Sequence, residues 1–102
     1  MDYKVRKTDN TTEVLLSGRL TFTDHEQFRS VMALFDEPVK GQKFVFDLSG
    51  LEFVDSSGLG MFLIARDTAE RNDCNLVLRG AHNQVRRILD IAKFGTIFNI
   101  ED

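Results

Sequence analysis

Residues 44–65 read FVFDLSGLEFVDSSGLGMFLIA, and this stretch restricts the fold more than any other part of the chain. Phe44, Val45, Phe46 and Leu48 form an apolar run rich in aromatic and β-branched side chains, which predicts a buried strand. A second short run, Leu51 to Val54, carries the chain to Asp55-Ser56-Ser57-Gly58. Leu59, Met61, Phe62, Leu63, Ile64 and Ala65 follow at once and predict a helix from Ser56 or Ser57 to about Arg71. Two hydroxyl residues behind an aspartate therefore sit where a helix's first N–H groups lack partners and its dipole is positive. Such a turn attracts an anion, and a phosphate on one of the serines could be held there without unfolding anything. An ordinary N-cap, worth about 1 kcal/mol, explains one polar residue here but not three in a row followed by two glycines. Gly58 and Gly60 each cost roughly 1 kcal/mol of helix propensity relative to alanine. Their presence implies close approach, either of the sheet or of another molecule.

The flanking segments build a domain around this unit. Tyr3 to Lys7 alternates as an edge strand does, Thr8 to Thr11 is turn chemistry, and Thr12 to Leu20 resumes with Val14, Leu15 and Leu16, predicting a hairpin. Gly18 marks a bulge or bend. Thr23 and Glu26 have the spacing of a capping box, and Phe28, Val31, Met32 and Phe35 follow at helical intervals until Asp36-Glu37-Pro38 ends the helix. After a turn at Asn72-Asp73 come a strand at Asn75 to Arg79 and a second turn from Gly80 to Asn83. A third helix from Gln84 to Lys93 would place Val85, Ile88, Leu89 and Ala92 on one face, with Gly95 as its stop and Thr96 to Ile100 as a last strand. The order β β α β α β α β predicts one α/β domain over residues 1–102, with a small mixed, mostly parallel sheet of four or five strands and helices packed on it.

Charge and motif content remove several function classes from the expectation. The net charge is −3 with no basic stripe, which argues against nucleic acid as a partner. Met61 to Ala65, the longest apolar stretch, is too short to span a bilayer, and residues 1–10 do not resemble a signal peptide. A single cysteine, Cys74, forms no internal disulfide and reads as a small core residue; it fits a reducing, cytoplasmic setting. A nucleophile elbow needs glycine two residues before the serine, but Val54 precedes Ser56 and Asp55 precedes Ser57 at that distance. His25 and His82 read as exposed turn residues, and neither a phosphate loop nor metal-ligand spacing is present. Asp47, Glu52 and Asp55 could gather near strand ends, as surface carboxylates often do. The expectation is a non-enzymatic protein with no cofactor and no metal. Arg86 and Arg87 read as a solvated face, with a partner contact as the alternative.

The segment Leu48-Ser49-Gly50-Leu51-Glu52-Phe53-Val54-Asp55-Ser56-Ser57-Gly58-Leu59-Gly60 closely resembles the signature of STAS domains, specifically the bacterial anti-sigma-factor antagonists. The likeness extends through Leu16-Ser17-Gly18-Arg19-Leu20, Asn75-Leu76-Val77-Leu78 and Val85-Arg86-Arg87-Ile88-Leu89. The resemblance implies a STAS fold in a monomer and phosphorylation of Ser56, with Ser57 supportive or a lesser site. It implies as partners an anti-sigma factor that is a serine kinase of histidine-kinase-like ATPase fold, and a metal-dependent serine phosphatase that reverses the modification. The partner surface would comprise Thr21, Phe22, Asp24, Asp55, Ser57, Gly58, Leu59, Gly60 and Met61. Family members often carry an acid just after the early Gly-x-Leu strand end; this chain has Thr21 and Phe22 there, with Asp24 the nearest acid. Similar relatives act in other partner-switching circuits, so the downstream target stays open. Two alternatives accompany this reading: a constitutive scaffold without phosphorylation, such as a subunit of a membrane transport complex, and a weak nucleotide binder.

Overall fold

A computed structural model describes residues 1–36 and 42–101. Five strands and three helices alternate: β1 (Asp2–Lys7), β2 (Thr11–Leu20), α1 (His25–Met32), β3 (Lys43–Val54), α2 (Ser56–Arg71), β4 (Asn75–Arg79), α3 (Asn83–Ile91) and β5 (Asn99–Glu101). The strands lie in the sheet in chain order, with β1 antiparallel to β2 and every later neighbour parallel. This is the mixed, mostly parallel α/β sheet that the alternation of elements predicts. Because each parallel crossover is right-handed and the strands advance in one direction, all three helices fall on the same face of the sheet.

That face carries the core. Val14, Leu16, Phe44, Phe46, Leu48, Leu76 and Leu78 project from the strands into one cluster with Phe28 and Val31 of α1, Met61, Phe62 and Ala65 of α2, and Val85 and Leu89 of α3. Phe46 touches both Phe28 and Phe62, with ring centroids 5.8 and 5.9 Å apart, so the middle strand pins α1 and α2 together. Among the described residues no helix packs on the opposite face. There Arg79 on β4 reaches over β3 to pair with Glu13 on β2, and also meets Asp47 at 3.4 Å. These residues share a face with Val45 and Val77, which are 0 and 1% exposed.

β3 is a single 12-residue strand where two apolar runs were expected. Ser49 and Gly50 are exposed within it, and the register with β2 slips between Leu15 and Ser17 and again between Gly18 and Arg19. Gly18 has φ +84, so the bulge predicted at that glycine is present.

Other expectations shift. The capping interaction lies two residues earlier than Thr23/Glu26: the Thr21 N–H donates to the Asp24 carboxylate at 2.8 Å, opening a short 3₁₀ turn, Phe22–Asp24, ahead of α1. α3 ends at Ile91, not Lys93, and Ala92 is exposed instead of facing the core. Lys93 takes the left-handed conformation (φ 59) that Gly95 was expected to supply. Gly95 instead sits in a 3₁₀ turn, Phe94–Thr96, and the last strand is Asn99–Glu101. Phe94 and Phe98 explain the change: both are buried, their rings stack at 4.9 Å, and the Phe98 N–H bonds to the Phe94 carbonyl at 2.8 Å. The expected helix stop at Glu37-Pro38 lies outside the described residues.

Candidate functional site

Asp55 organises the junction between β3 and α2. It is the N-cap of α2, and its Oδ1 accepts the Gly58 N–H at 2.8 Å. Its Oδ2 accepts the Phe22 N–H at 3.3 Å, from a loop 33 residues earlier in the chain. The Asp55 N–H donates to the Leu20 carbonyl at 3.2 Å, and the Asp55 carbonyl accepts the Leu59 N–H at 3.1 Å. One aspartate thus holds the end of β2, the turn after it and the start of α2 in a fixed relation. Thr21 and Phe22, distant in sequence, arrive beside the serines.

The two glycines of the first turn have different settings. Gly58 is buried, and a Cβ there would lie 2.8 Å from both the Leu20 carbonyl oxygen and Val54 Cγ1. Gly60 would place a Cβ with no heavy atom within 4 Å. The sheet's close approach accounts for Gly58; no internal contact accounts for Gly60.

Ser56 is the first residue of α2 and is exposed, while Ser57 is half-buried. Among the described residues neither hydroxyl has a hydrogen-bond partner. Phe22 stands 66% exposed next to this turn, a large apolar side chain in water. Two of the expected contact residues are placed otherwise. Met61 is 2% exposed and packs in the core. Asp24 is 8% exposed, and its carboxylate is directed inward to the Thr21 N–H and to the Met1 amino group at 3.1 Å. Burial pushes Asp24 up, yet these two donors outweigh it and hold the carboxyl below its ordinary value. Leu59 is half-buried against the core.

Gln84 was not anticipated. β4 pairs with residues 43–47 of β3, so among the described residues the later half of β3 has no strand on that side. The Gln84 amide fills the gap at the strand's end, donating to the Val54 carbonyl and accepting the Val54 N–H, both at 3.1 Å. His82 Nε2 lies 2.7 Å from the Ser49 carbonyl oxygen on the same edge. The signal available in the sequence was the mismatch in length between the two strands.

Asp47 and Asp55, expected to gather with Glu52 near the strand ends, do not converge. Asp47 is bound to Ser49 and Arg79 on the open sheet face, whereas Asp55 caps α2. Among the described residues no three His, Cys, Asp or Glu side chains are arranged to hold a metal ion, and no helix is long and apolar enough to cross a membrane. Cys74 is partly buried; burial, reinforced by the neighbouring Asp73 charge, pushes its thiol up and lowers its reactivity.

A five-stranded sheet with the described helices on one face, presenting hydroxyls on a capped strand-to-helix turn, defines a small mixed α/β domain. Residues 3–99 match the family described as Mlab, STAS domain. The chain is 33% identical over 87 residues to a STAS-domain containing protein of Pseudomonas aeruginosa, covering 85% of this chain and 84% of that protein. The protein belongs to the STAS-domain family. Its fold is shared by an anti-sigma-factor antagonist (STAS) domain protein from Planctomyces limnophilus (18% identity, 100% of this chain and 91% of that one, TM-score 0.86). The phosphorylated Bacillus cell fate determinant SpoIIAA also shares it (22% identity, 97% and 90% covered, TM-score 0.71). So does a sulfate transporter family protein from Wolinella succinogenes (16% identity, 91% and 77% covered, TM-score 0.77).

Proposed function

We propose that this STAS domain is a partner-switching regulator of the anti-sigma-factor-antagonist kind, controlled by phosphorylation of Ser56. One observation carries the reading: an exposed serine hydroxyl, without a protein partner among the described residues, at the first position of a helix whose N-terminus is built rigidly by Asp55. In the unmodified state the turn, with Thr21, Phe22, Ser57 and the bare backbone at Gly60, docks onto a serine kinase of histidine-kinase-like ATPase fold. Phosphorylation adds a charge of about −1.5 to −2. The helix N-terminus tolerates that charge, so the domain stays folded. A partner surface fitted to a neutral hydroxyl instead meets a desolvated dianion. A penalty of roughly 3 kcal/mol weakens binding more than a hundredfold. A metal-dependent serine phosphatase restores the binding form. The structures of SpoIIAA in unphosphorylated and phosphorylated forms support the reading, since that protein keeps this fold in both.

The test is capture of the partner kinase by purified Ser56→Ala and Ser56→Asp proteins. Retention by the alanine variant and loss by the aspartate variant is the expected result; equal capture by both contradicts the switch. A second reading, a constitutive scaffold in a membrane transport assembly, draws on the occurrence of the fold in a sulfate transporter family protein. Phosphate-affinity electrophoresis of the protein from cells separates the two. A shifted species lost in Ser56→Ala supports the switch, and its absence under every growth condition supports the scaffold.

A further inference from the structure

Beyond the serine turn, α1 and α2 enclose an open groove of about 490 Å³. Its floor is apolar, with Phe28 and Met61 beneath, and Met32, Ala33 and Ile64 stand on its walls. Ile64 is 56% exposed. Two arginines stand on its rim, Arg29 on α1 and Arg71 at the end of α2, and His25 lines the end nearest the serine turn; among the described residues no aspartate or glutamate lines it. This is the reverse of the chain as a whole, which carries a net charge of −3. The acids of α2 are engaged elsewhere: Arg66 pairs with Glu70 at 3.1 Å, and donates to the Ile97 carbonyl on that flank. Arg29 has no ion-pair partner among the described residues.

The shape and the spacing of charge select the occupant. Met61 to Arg71 spans about 15 Å at 1.5 Å per residue, the length of three helical turns. A small amphiphile with one head group would need its cations together at one end, whereas Arg29 and Arg71 stand apart on different helices. We propose that the α1–α2 groove seats an amphipathic helix of a partner protein, whose apolar stripe packs on Ile64, Met32 and Ala33 and whose flanking carboxylates face Arg29 and Arg71. The groove opens at the same end of the domain as the serine turn, because Met61 lies one helical turn beyond Ser57 and His25 directly follows Asp24. Docking there does not require phosphorylation, so the two surfaces succeed or fail separately.

The experiment is an NMR titration of the full chain with two synthetic 14-residue helical peptides. They have the same leucine stripe at i, i+3, i+4 and i+7, flanked by glutamates in one and by lysines in the other. The acidic peptide should give saturable shifts confined to α1 and α2. Its affinity should fall at least tenfold in Arg29→Glu/Arg71→Glu and at least tenfold in Ile64→Asp, and should weaken as salt rises. Both variants change exposed side chains, and their undisturbed spectra elsewhere report that they are folded. Equal affinity for the acidic and basic peptides overturns the proposal, as do shifts mapping outside the groove or no saturation. Concentration-dependent shifts in the groove without peptide assign it to a second copy and overturn it too. So does displacement of the peptide by an equimolar amount of dodecanoate.

Discussion

Gly58 and Gly60 stand two residues apart in one helical turn, yet substitution should move stability in opposite directions. Alanine at 58 forces its methyl to 2.8 Å from the Leu20 carbonyl oxygen and Val54, where backbone cannot yield. Overpacking of this kind costs about 1–3 kcal/mol. Alanine at 60 meets nothing and gains helix propensity, so Gly60→Ala should stabilise by about 0.5–1 kcal/mol. Denaturant melts of the two variants check the pair. If Gly60 is kept bare for a partner's approach, Gly60→Ala will also weaken kinase capture while the fold becomes more stable. Asp55→Ala should cost about 1–2 kcal/mol, since it removes the α2 cap and frees the Phe22 loop at once. Ser56→Asp should melt no lower than the parent, because a carboxylate in a helix's first turn adds about 0.3–1 kcal/mol; a clear drop in its midpoint would show that the turn does not accept charge.

At the level of elements, local signals read in the sequence agree with the structure where periodicity or backbone chemistry decides the outcome. The α2 start at Ser56, the β4 span and the bulge at Gly18 are of this kind, since hydrophobic spacing and a positive φ are local properties. Departures occur where a long-range contact overrides the local preference. Thr23 and Glu26 match a cap, but Thr21 and Asp24 make the interaction because that loop is tied to Asp55 by the Phe22 N–H. Lys93 adopts the left-handed position in place of Gly95 because the Phe94–Phe98 stack fixes the following turn. Within the site, Ser56 and its capped turn were legible from residue types in order. The inward direction of Asp24 and the burial of Met61 were not, since both depend on what packs against them. The role of Gln84 follows only from β3 outrunning β4. Gln84→Ala should therefore raise amide exchange at Val54 more than at the paired residues 44–47, a difference measurable by hydrogen exchange.

For the whole molecule, the sheet's two faces impose different dependences. The helix-covered face is held by apolar burial and changes little with pH. The open face is held by the Glu13–Arg79–Asp47 network across β2, β3 and β4. Burial pushes Asp47 up, but Ser49 and Arg79 prevail and keep its carboxyl below the usual range, as the donors around Asp24 do there. Both groups bind protons less readily folded than unfolded, so their contribution is present above the unfolded aspartate value of about 4 and is lost as pH falls through the lowered folded values. Urea midpoints should be nearly level between pH 7 and 5 and decline below about pH 4, and Asp47→Asn should flatten that decline. Stability that rose on acidification would contradict the assignment. The same architecture explains how a switch can leave the fold intact: Ser56 lies at the rim, while the core and the ionic face are elsewhere. Site-resolved mass mapping of the protein isolated from the cells that make it, across growth conditions, tests that account most directly. It should find a phosphoryl group on Ser56 in a fraction that varies with condition; a Ser56 peptide recovered unmodified in every condition would contradict it.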